Sequence, residues 1–279
     1  MKKTLIALAV VASAVSGMAH AWTNGDFNGS VNIGGSINAD DFRQKWSWAT
    51  GSEIGFSNLL KDLTEGGTKL TITVDGNKPI LLGKTNEAFS TSVTGGVGAI
   101  PQIAFTGFDG SKIVPTFSET GKVVMELPVK TDKNSNKVGK LTVNAMASGV
   151  LAVASPDTGT YKKPLYAPNE NSIFSGGLTT DTSLAMKAGA SSDFTSMMGT
   201  LGVNELYQQI IQTMGGSHDL NSDWSPVTSD NMYYVDGSKA AASYALGIAS
   251  GQTIEATFDN AVTASTQWSA PLTIAVTYN

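Results

Sequence analysis

The sequence predicts an all-β sandwich with one short helical insert, on three observations. Apolar and polar residues alternate in several short runs, Thr, Val and Ile are abundant within those runs, and Gly-rich stretches separate them. Alternation with a period of two is the pattern of a strand with one buried face. Many such strands joined by Gly-rich turns are typical of sandwiches and barrels. A membrane-spanning barrel would need longer segments and girdles of aromatic residues, so we favour the sandwich.

The first 21 residues have the three parts of a secretory signal peptide. Lys2 and Lys3 precede a short apolar run, and small residues then lead to an A-x-A pattern that ends at Ala21. The apolar run is shorter than the ~20 residues that a membrane-spanning helix needs. We therefore expect residues 1–21 to direct export and to be removed, so that the mature chain begins at Trp22.

Residues 22–37 follow the expected cleavage site and form a candidate strand, in which one parity is apolar and the other carries Asn and Ser. The four large apolar side chains on one face are Phe27, Val31, Ile33 and Ile37. Two interpretations are open: an ordinary first strand of the sandwich, or a donor strand that completes the sheet of another subunit by β-strand addition. Burial of these side chains would contribute ~1.5–3 kcal/mol each before entropy is counted.

Further along the chain, alternation predicts four more strands, and stretches that contain glycine or are rich in Asn predict turns between strands. The strands are expected over Lys69–Val74, Lys122–Val129, Lys140–Ala145 and Thr253–Phe258. The turns are expected at Gly66-Gly67, Asp75-Gly76, Asp109-Gly110 and Asn134–Asn136.

One stretch has helical rather than strand spacing. Asn204–Met214 places its apolar residues near a period of 3.6, with Asn204 as the expected N-cap and Gly215 as the expected stop. Asp193–Leu201 is expected to form another short helical turn. Since no repeat or Pro-rich linker divides the chain, we expect one domain.

The C-terminal segment is a strand with one apolar face. Leu272, Ile274, Val276 and Tyr278 alternate with small polar or small apolar residues up to the penultimate position. A strand of this kind with no following partner presents an open sheet edge, and such edges aggregate unless something pairs with them. The two terminal segments together therefore suggest subunit-to-subunit polymerisation.

The composition argues against several chemistries. The 279 residues include no cysteine, which excludes thiol catalysis, cysteine–zinc sites and disulfides. Only 15% of residues are charged and the net charge is −5, so clustered cations for a nucleic-acid partner are not expected. His218 lies in a polar loop without a recognisable nucleophile. We expect no enzyme, cofactor or metal; the alternative, a monomeric secreted glycan-active enzyme, would need two acids facing one cleft.

Several blocks, taken together, resemble the FaeG-type major fimbrial subunits, adhesins of enterotoxigenic Escherichia coli that are assembled by the chaperone–usher pathway. The blocks are Gly25–Ile37, Gly66–Val74, Gly76–Gly83, Ile100–Thr106, Tyr244–Phe258 and Ser265–Leu272. The family also lacks cysteine, whereas generic pilins carry a disulfide.

The resemblance implies an incomplete immunoglobulin-like sandwich over residues 38–279 that is completed by a donor strand. A periplasmic chaperone would lend a strand to the groove, and at the outer-membrane usher residues 22–37 of another copy would replace it. Phe27, Val31, Ile33 and Ile37 would be the donor positions. Groove-edge and chaperone contacts would fall on Leu272, Ile274, Val276 and Tyr278.

The resemblance further implies adhesion to host glycoconjugates through a variable insert, here about residues 151–236. Aromatic rings stack on the apolar faces of sugars while polar groups bind the hydroxyls. The candidates of these types in the insert are Tyr161, Lys162, Lys163, Tyr166, Asn169, Glu170, His218 and Trp224. A minor or tip subunit of the same fibre is the alternative, and abundance along purified fibres would separate the two.

Overall fold

The computed structural model describes residues 34–36, 40–92, 96–157, 159–216 and 219–279. The fold given below is that of the compact unit Ala39–Asn279. The expected signal peptide, residues 1–21, lies outside the described residues, and so do Phe27, Val31, Ile33, Ile37 and His218.

The described residues form fourteen β-strands distributed along the chain, and two α-helices lie between the ninth and tenth strands. The strands are β1 Trp46–Thr50, β2 Lys69–Thr73, β3 Lys78–Thr85, β4 Pro101–Gly107, β5 Lys112–Ile113, β6 Thr116–Glu119, β7 Lys122–Thr131, β8 Asn134–Ser155, β9 Gly159–Pro164, β10 Leu220–Trp224, β11 Lys239–Ile248, β12 Thr253–Phe258, β13 Trp268–Ser269 and β14 Leu272–Tyr278. The helices are α1 Ala188–Met198 and α2 Val203–Met214, and short 3₁₀ turns span Arg43–Lys45, Leu60–Asp62 and Glu65–Gly67.

The strands make a large sheet and a small one. The large sheet has the order β1-β3-β11-β8-β12-β2, with β7 and β9 also paired to the long strand β8; β6 and β13 pair with β7, and β10 with β9. The small sheet has the order β14-β4-β5. Apart from the parallel pair β9/β10, the named strands pair antiparallel. The predicted all-β sandwich with a short helical insert is confirmed.

The core lies between the two sheets, and the helices cover the opposite face of the large sheet. Tyr244 of β11 is fully buried, its hydroxyl donates to the carbonyl of Gly177 at 3.1 Å, and its ring lies 5.3 Å from that of Phe174. On β8, Leu151 joins this core while its neighbour Val150 packs with α2. The centre of the large sheet is therefore buried on both faces.

The two helices of the insert begin at different residues from those predicted. α2 begins at Val203, and Asn204 as N-cap is wrong: Gly202 precedes the helix and donates its N–H to Glu205 Oε2 at 3.0 Å. The Val203 N–H donates to Ser192 Oγ of α1 at 2.8 Å, so a tertiary contact replaces a local cap. The stop at Gly215 is confirmed, with φ +70°.

The range of the first helix also needs correction. The sequence predicts a turn over Asp193–Leu201, whereas α1 spans Ala188–Met198. Gly199, with φ +97°, ends it, because glycine adopts the left-handed conformation without a Cβ clash.

One predicted turn is wrong. Asn134–Asn136 was expected to be a turn, but β8 starts at Asn134, which pairs with Thr131 across a two-residue turn at 132–133. The pairing of β7 with β8 thus extends further than local Asn content indicates. The glycines of the other predicted turns, Gly66, Gly76 and Gly110, have φ values of +68°, +68° and +82°.

Candidate functional site: an open groove beside the last strand

The last strand, β14, lies at an edge of the small sheet. One side of it pairs with β4 along its whole length, from Leu272 opposite Gly107 to Tyr278 opposite Pro101. Among the described residues no strand pairs with its other side. Leu272, Ile274, Val276 and Tyr278 are half-buried against the core, and the residues between them are exposed. The strand therefore offers unpaired backbone groups along an apolar face.

A groove of about 1090 Å³ lies beside the first half of this strand. Leu272 and Ile274 line one wall, and residues 50–60 line the other. The apolar floor comes from the large sheet and includes Leu70, Met125, Leu127, Leu141, Val143, Ile254 and Phe258. Among the described lining residues, Glu53 carries the single ionisable side chain. A lining of this kind favours an apolar occupant over a charged one.

The second wall is formed where the chain leaves the large sheet. β1 pairs with β3 as far as Thr50, and the next residue, Gly51, approaches β3 so closely that a Cβ there would lie 2.0 Å from the carbonyl oxygen of Pro79. Beyond this point Ile54 and Phe56 pack partly against the core without joining a strand. Because residues 51–59 do not join a strand, a gap lies between them and β14.

A side-chain hydrogen bond links the carboxyl end of β14 to the large sheet. Trp48 Nε1 donates to the Tyr278 hydroxyl at 2.9 Å and joins β1 to β14. Burial raises the pKa of Tyr278, while this hydrogen bond and the charge of Arg43 act in the opposite direction. Because Trp48 lies beside Tyr278, the wall over residues 50–60 starts near the carboxyl end of β14, and it lines the same groove as Leu272 and Ile274.

The glycan-binding candidates predicted from the sequence lie in different parts of the fold. Lys162 of β9 and Trp224 of β10 are register partners, and Lys162 Nζ lies 5.4 Å from the centre of the indole ring. Lys162 Nζ also donates to the carbonyl of Ser222 at 2.6 Å. Parallel pairing of β9 with β10 thus joins an aromatic ring and an ammonium group from opposite ends of the helical insert.

Of the other described candidates, Tyr166, Asn169 and Glu170 form hydrogen bonds away from that pair. Tyr161 and Lys163 are partly exposed on β9, and Tyr166 donates its N–H to the carbonyl of Thr228 at 3.0 Å. Asn169 Oδ1 accepts the N–H of Asn171 at 2.9 Å, while the carbonyl of Glu170 accepts a hydrogen bond from the Asn279 side chain at 3.0 Å, which places Glu170 beside the end of β14.

Lys163 faces a buried acid. Burial raises the pKa of Asp230, opposed by hydrogen bonds from the Tyr234 hydroxyl and the Met232 N–H and by the positive charge of Lys163. Tyr234 and Asp230 hold the segment that leads into β11. The positive charge of Lys163 therefore acts on this buried acid, and Lys163 is also a glycan candidate.

Comparison with known proteins decides the family. The profile of the family described as fimbrial, major and minor subunit, of the K88 type, matches residues 1–279. The chain belongs to this K88 fimbrial family. It is 54% identical to K88 fimbrial protein AB and 52% identical to K88 fimbrial protein AC of Escherichia coli, with both chains covered completely in each case. The F41 fimbrial protein of Escherichia coli is 31% identical, again over the whole of both chains.

As a K88-type fimbrial protein, the chain is a component of fimbriae at the cell surface, which agrees with the export expected from its sequence. No helix in the described ranges is long and apolar enough to cross a membrane. The resemblance noted in the sequence is thereby confirmed.

Sequence reasoning found β14 and the strands of the floor, but it missed the opposite wall and did not show that these strands line one groove. Residues 51–59 show no periodic pattern, and the floor is assembled from strands far apart in the chain. Local alternation predicts the floor strands one by one, but no local signal marks residues 51–59 or shows that the floor strands meet at a groove. The approach of Gly51 to Pro79 that places the wall is visible only in three dimensions.

Proposed function

We propose that the chain is a polymerising fimbrial subunit whose groove accepts a strand from another copy and whose own residues 22–37 fill the groove of the next. The observation that carries this proposal is the open edge of β14 above an apolar groove. A strand added there would gain main-chain hydrogen bonds from β14 and bury its alternate side chains in the groove. Other copies of the chain are its partners in the fibre.

The donor segment suits the groove in pattern and is long enough to pair with the whole of β14. From Phe27 to Ile37 an extended strand spans about 33 Å, and β14, with seven residues, spans about 20 Å. Four apolar side chains of one parity would face the groove floor, and Asn and Ser between them would face solvent. Apart from Glu53, no charge of the described lining opposes their burial.

The same open edge supports roles for a periplasmic chaperone and an outer-membrane usher. An unpaired strand above an exposed apolar groove is an aggregation site. A chaperone that lends a strand to β14 would cover it until the usher exchanges that strand for the donor segment of another copy. Leu272, Ile274, Val276 and Tyr278 would contact the chaperone strand first and the donor strand afterwards.

A charge in the groove wall tests the proposal. Ile274→Asp places a carboxylate at a groove-lining position, and we expect loss of fibres, because burying an unpaired charge costs several kcal/mol. Thr273→Asp, on the exposed face of the same strand, is the matched control and should assemble normally. Electron microscopy and shear-released fibre protein measure the outcome. Equal assembly by both variants would contradict a donor strand at β14.

We propose that the subunit also binds host glycans, and that the Lys162–Trp224 pair contributes to the binding site. An indole ring beside an ammonium group offers a stacking surface and a hydrogen-bond donor to a sugar. The exposed residues of β10 that precede Trp224 could supply further polar contacts. The other predicted residues, Tyr161, Lys163, Tyr166, Asn169, Glu170 and His218, stay candidates.

Substitution of the lysine tests the glycan site. We expect Lys162→Ala to weaken glycan binding roughly tenfold, the equivalent of about 1.4 kcal/mol, because one charged hydrogen-bond donor is lost. Lys130→Ala removes another lysine from an aromatic ring, that of Phe108 at 5.2 Å, and is the matched control. Binding of purified fibres to a glycan array measures both. Unchanged binding by Lys162→Ala would exclude this pair from the site.

A further inference from the structure

Three exposed apolar side chains lie where the described fold begins. Val97, Tyr233 and Val235 are 48%, 37% and 73% exposed. The carbonyl of Val97 accepts the N–H of Phe42 at 2.7 Å, so Val97 is held next to the start of the domain. We call Val97, Tyr233 and Val235 the exit patch, because they lie at the end of the domain where Phe42 begins the described fold.

Tyr233 and Val235 belong to the same end through the backbone. Tyr233 forms a parallel bridge with Thr91, whose N–H donates to the carbonyl of Met232 at 2.8 Å. Tyr234, between Tyr233 and Val235, donates its N–H to the carbonyl of Thr91 at 3.2 Å. A Cβ on Gly96 would lie 2.7 Å from the Thr91 side chain and 3.2 Å from the ring of Phe42. Thr91 and Phe42 therefore connect the Val97 and Tyr233 parts of the exit patch.

A second exposed apolar pair lies at the rim of the groove. Leu59 and Leu60 are 62% and 48% exposed, and both line the groove. The wall that carries them starts at Thr50, near the Trp48–Tyr278 bond, and lines the same groove as Leu272 at the amino end of β14. We call Leu59 and Leu60 the rim pair.

Donor-strand geometry brings these two surfaces together in neighbouring copies. The small sheet is antiparallel, and an antiparallel addition to β14 is the more stable choice. Ile37, the last apolar donor residue, then lies near Leu272 of the accepting copy. The five peptide steps from Ile37 to Phe42 reach at most about 18 Å, so the start of one domain is held close to the rim of the next groove.

We infer that the exit patch of one copy packs against the rim pair of the next copy, as a second contact beside the donor strand. This inference rests on the proposed polymerisation. The contact is heterologous, since different surfaces meet, and a heterologous contact that does not close builds an open filament. It removes from water apolar side chains that a monomer leaves exposed. It also fixes the rotation of one subunit about the short connection to the next.

Cross-linking of introduced cysteines tests the contact cleanly, because the chain has no cysteine of its own. Four double variants combine Leu59→Cys or Leu60→Cys with Tyr233→Cys or Val235→Cys. Purified fibres are treated with a short bis-maleimide and run on a denaturing gel. We expect a ladder of covalent dimers, trimers and higher multimers from at least one double variant.

The control places the second cysteine elsewhere on the surface. Val114→Cys, at a position 60% exposed between β5 and β6, is combined with Leu60→Cys and should give no ladder. Fibres without a ladder in all four double variants, or an equal ladder from the Val114 control, would overturn the contact. Absence of fibres from the unsubstituted chain would instead count against the proposed polymerisation, so the two failures are distinguishable.

Discussion

A chain that carries its own donor strand is expected to fold as a stable monomer. In this variant residues 22–37 are removed from their place after the signal peptide and attached behind Asn279 through a flexible linker of about four residues, enough for a hairpin. An antiparallel strand would begin where β14 ends, beside Tyr278, so the linker has only a short distance to cover. The donor side chains would then fill the groove of the same molecule.

The expected gain in stability is large. Burial of Phe27, Val31, Ile33 and Ile37 contributes ~1.5–3 kcal/mol each before the entropy of ordering the segment is subtracted. A net gain of about 4 kcal/mol would raise the midpoint of thermal unfolding by roughly 8–16 °C in a domain of this size. Circular dichroism during heating measures the midpoint, and size-exclusion chromatography measures the monomer fraction.

The simple deletion of residues 22–37 is the comparison. Without a donor strand, the open edge of β14 and the apolar groove stay uncovered, so we expect aggregation or a low unfolding midpoint. If the deleted and the self-complemented chains unfold at the same temperature and are equally monomeric, residues 22–37 do not fill the groove.

The parts of the fold that the sequence predicts well are strands with one buried face. β12 and β14 have the predicted bounds, and β2 ends one residue before the predicted Val74. In each of these strands, side chains alternate between the core and a more exposed face, so apolar and polar residues alternate in the sequence with a period of two. β8 is much longer than the predicted Lys140–Ala145, because its second half is buried on both faces and loses the alternation.

The candidate sites show the same division between local and long-range information. One wall of the groove, β14, follows from local alternation, but residues 50–60 depend on the close approach of Gly51 to Pro79. Lys162 and Trp224 were separate candidates in the sequence, and their contact arises from parallel pairing across the helical insert. Glu170 lies instead beside Asn279, because the chain after β9 turns towards the small sheet. Pairing between distant segments has no local signature.

A single charge on the donor segment is expected to abolish fibres without preventing export. Val31→Asp places a carboxylate on the apolar parity of residues 22–37, where the proposed pairing would bury it in a lining whose described residues offer no positive charge. Burial of an unpaired carboxylate costs several kcal/mol, and a loss of about 4 kcal/mol lowers the pairing equilibrium by a factor of nearly 10³. The groove of the variant itself is unchanged, so chaperone binding and export should continue.

The neighbouring residue provides the matched control for this variant. Asn32→Asp introduces the same charge one position away, on the parity that would face solvent, and should leave fibre formation nearly unchanged. Electron microscopy of cells and immunoblots of periplasmic and shear-released fractions separate assembly from export. Because a one-residue shift moves a side chain to the opposite face of a strand, only a paired strand with a fixed register distinguishes the two aspartates. Normal fibres from Val31→Asp, or equal loss from both variants, would contradict the donor strand.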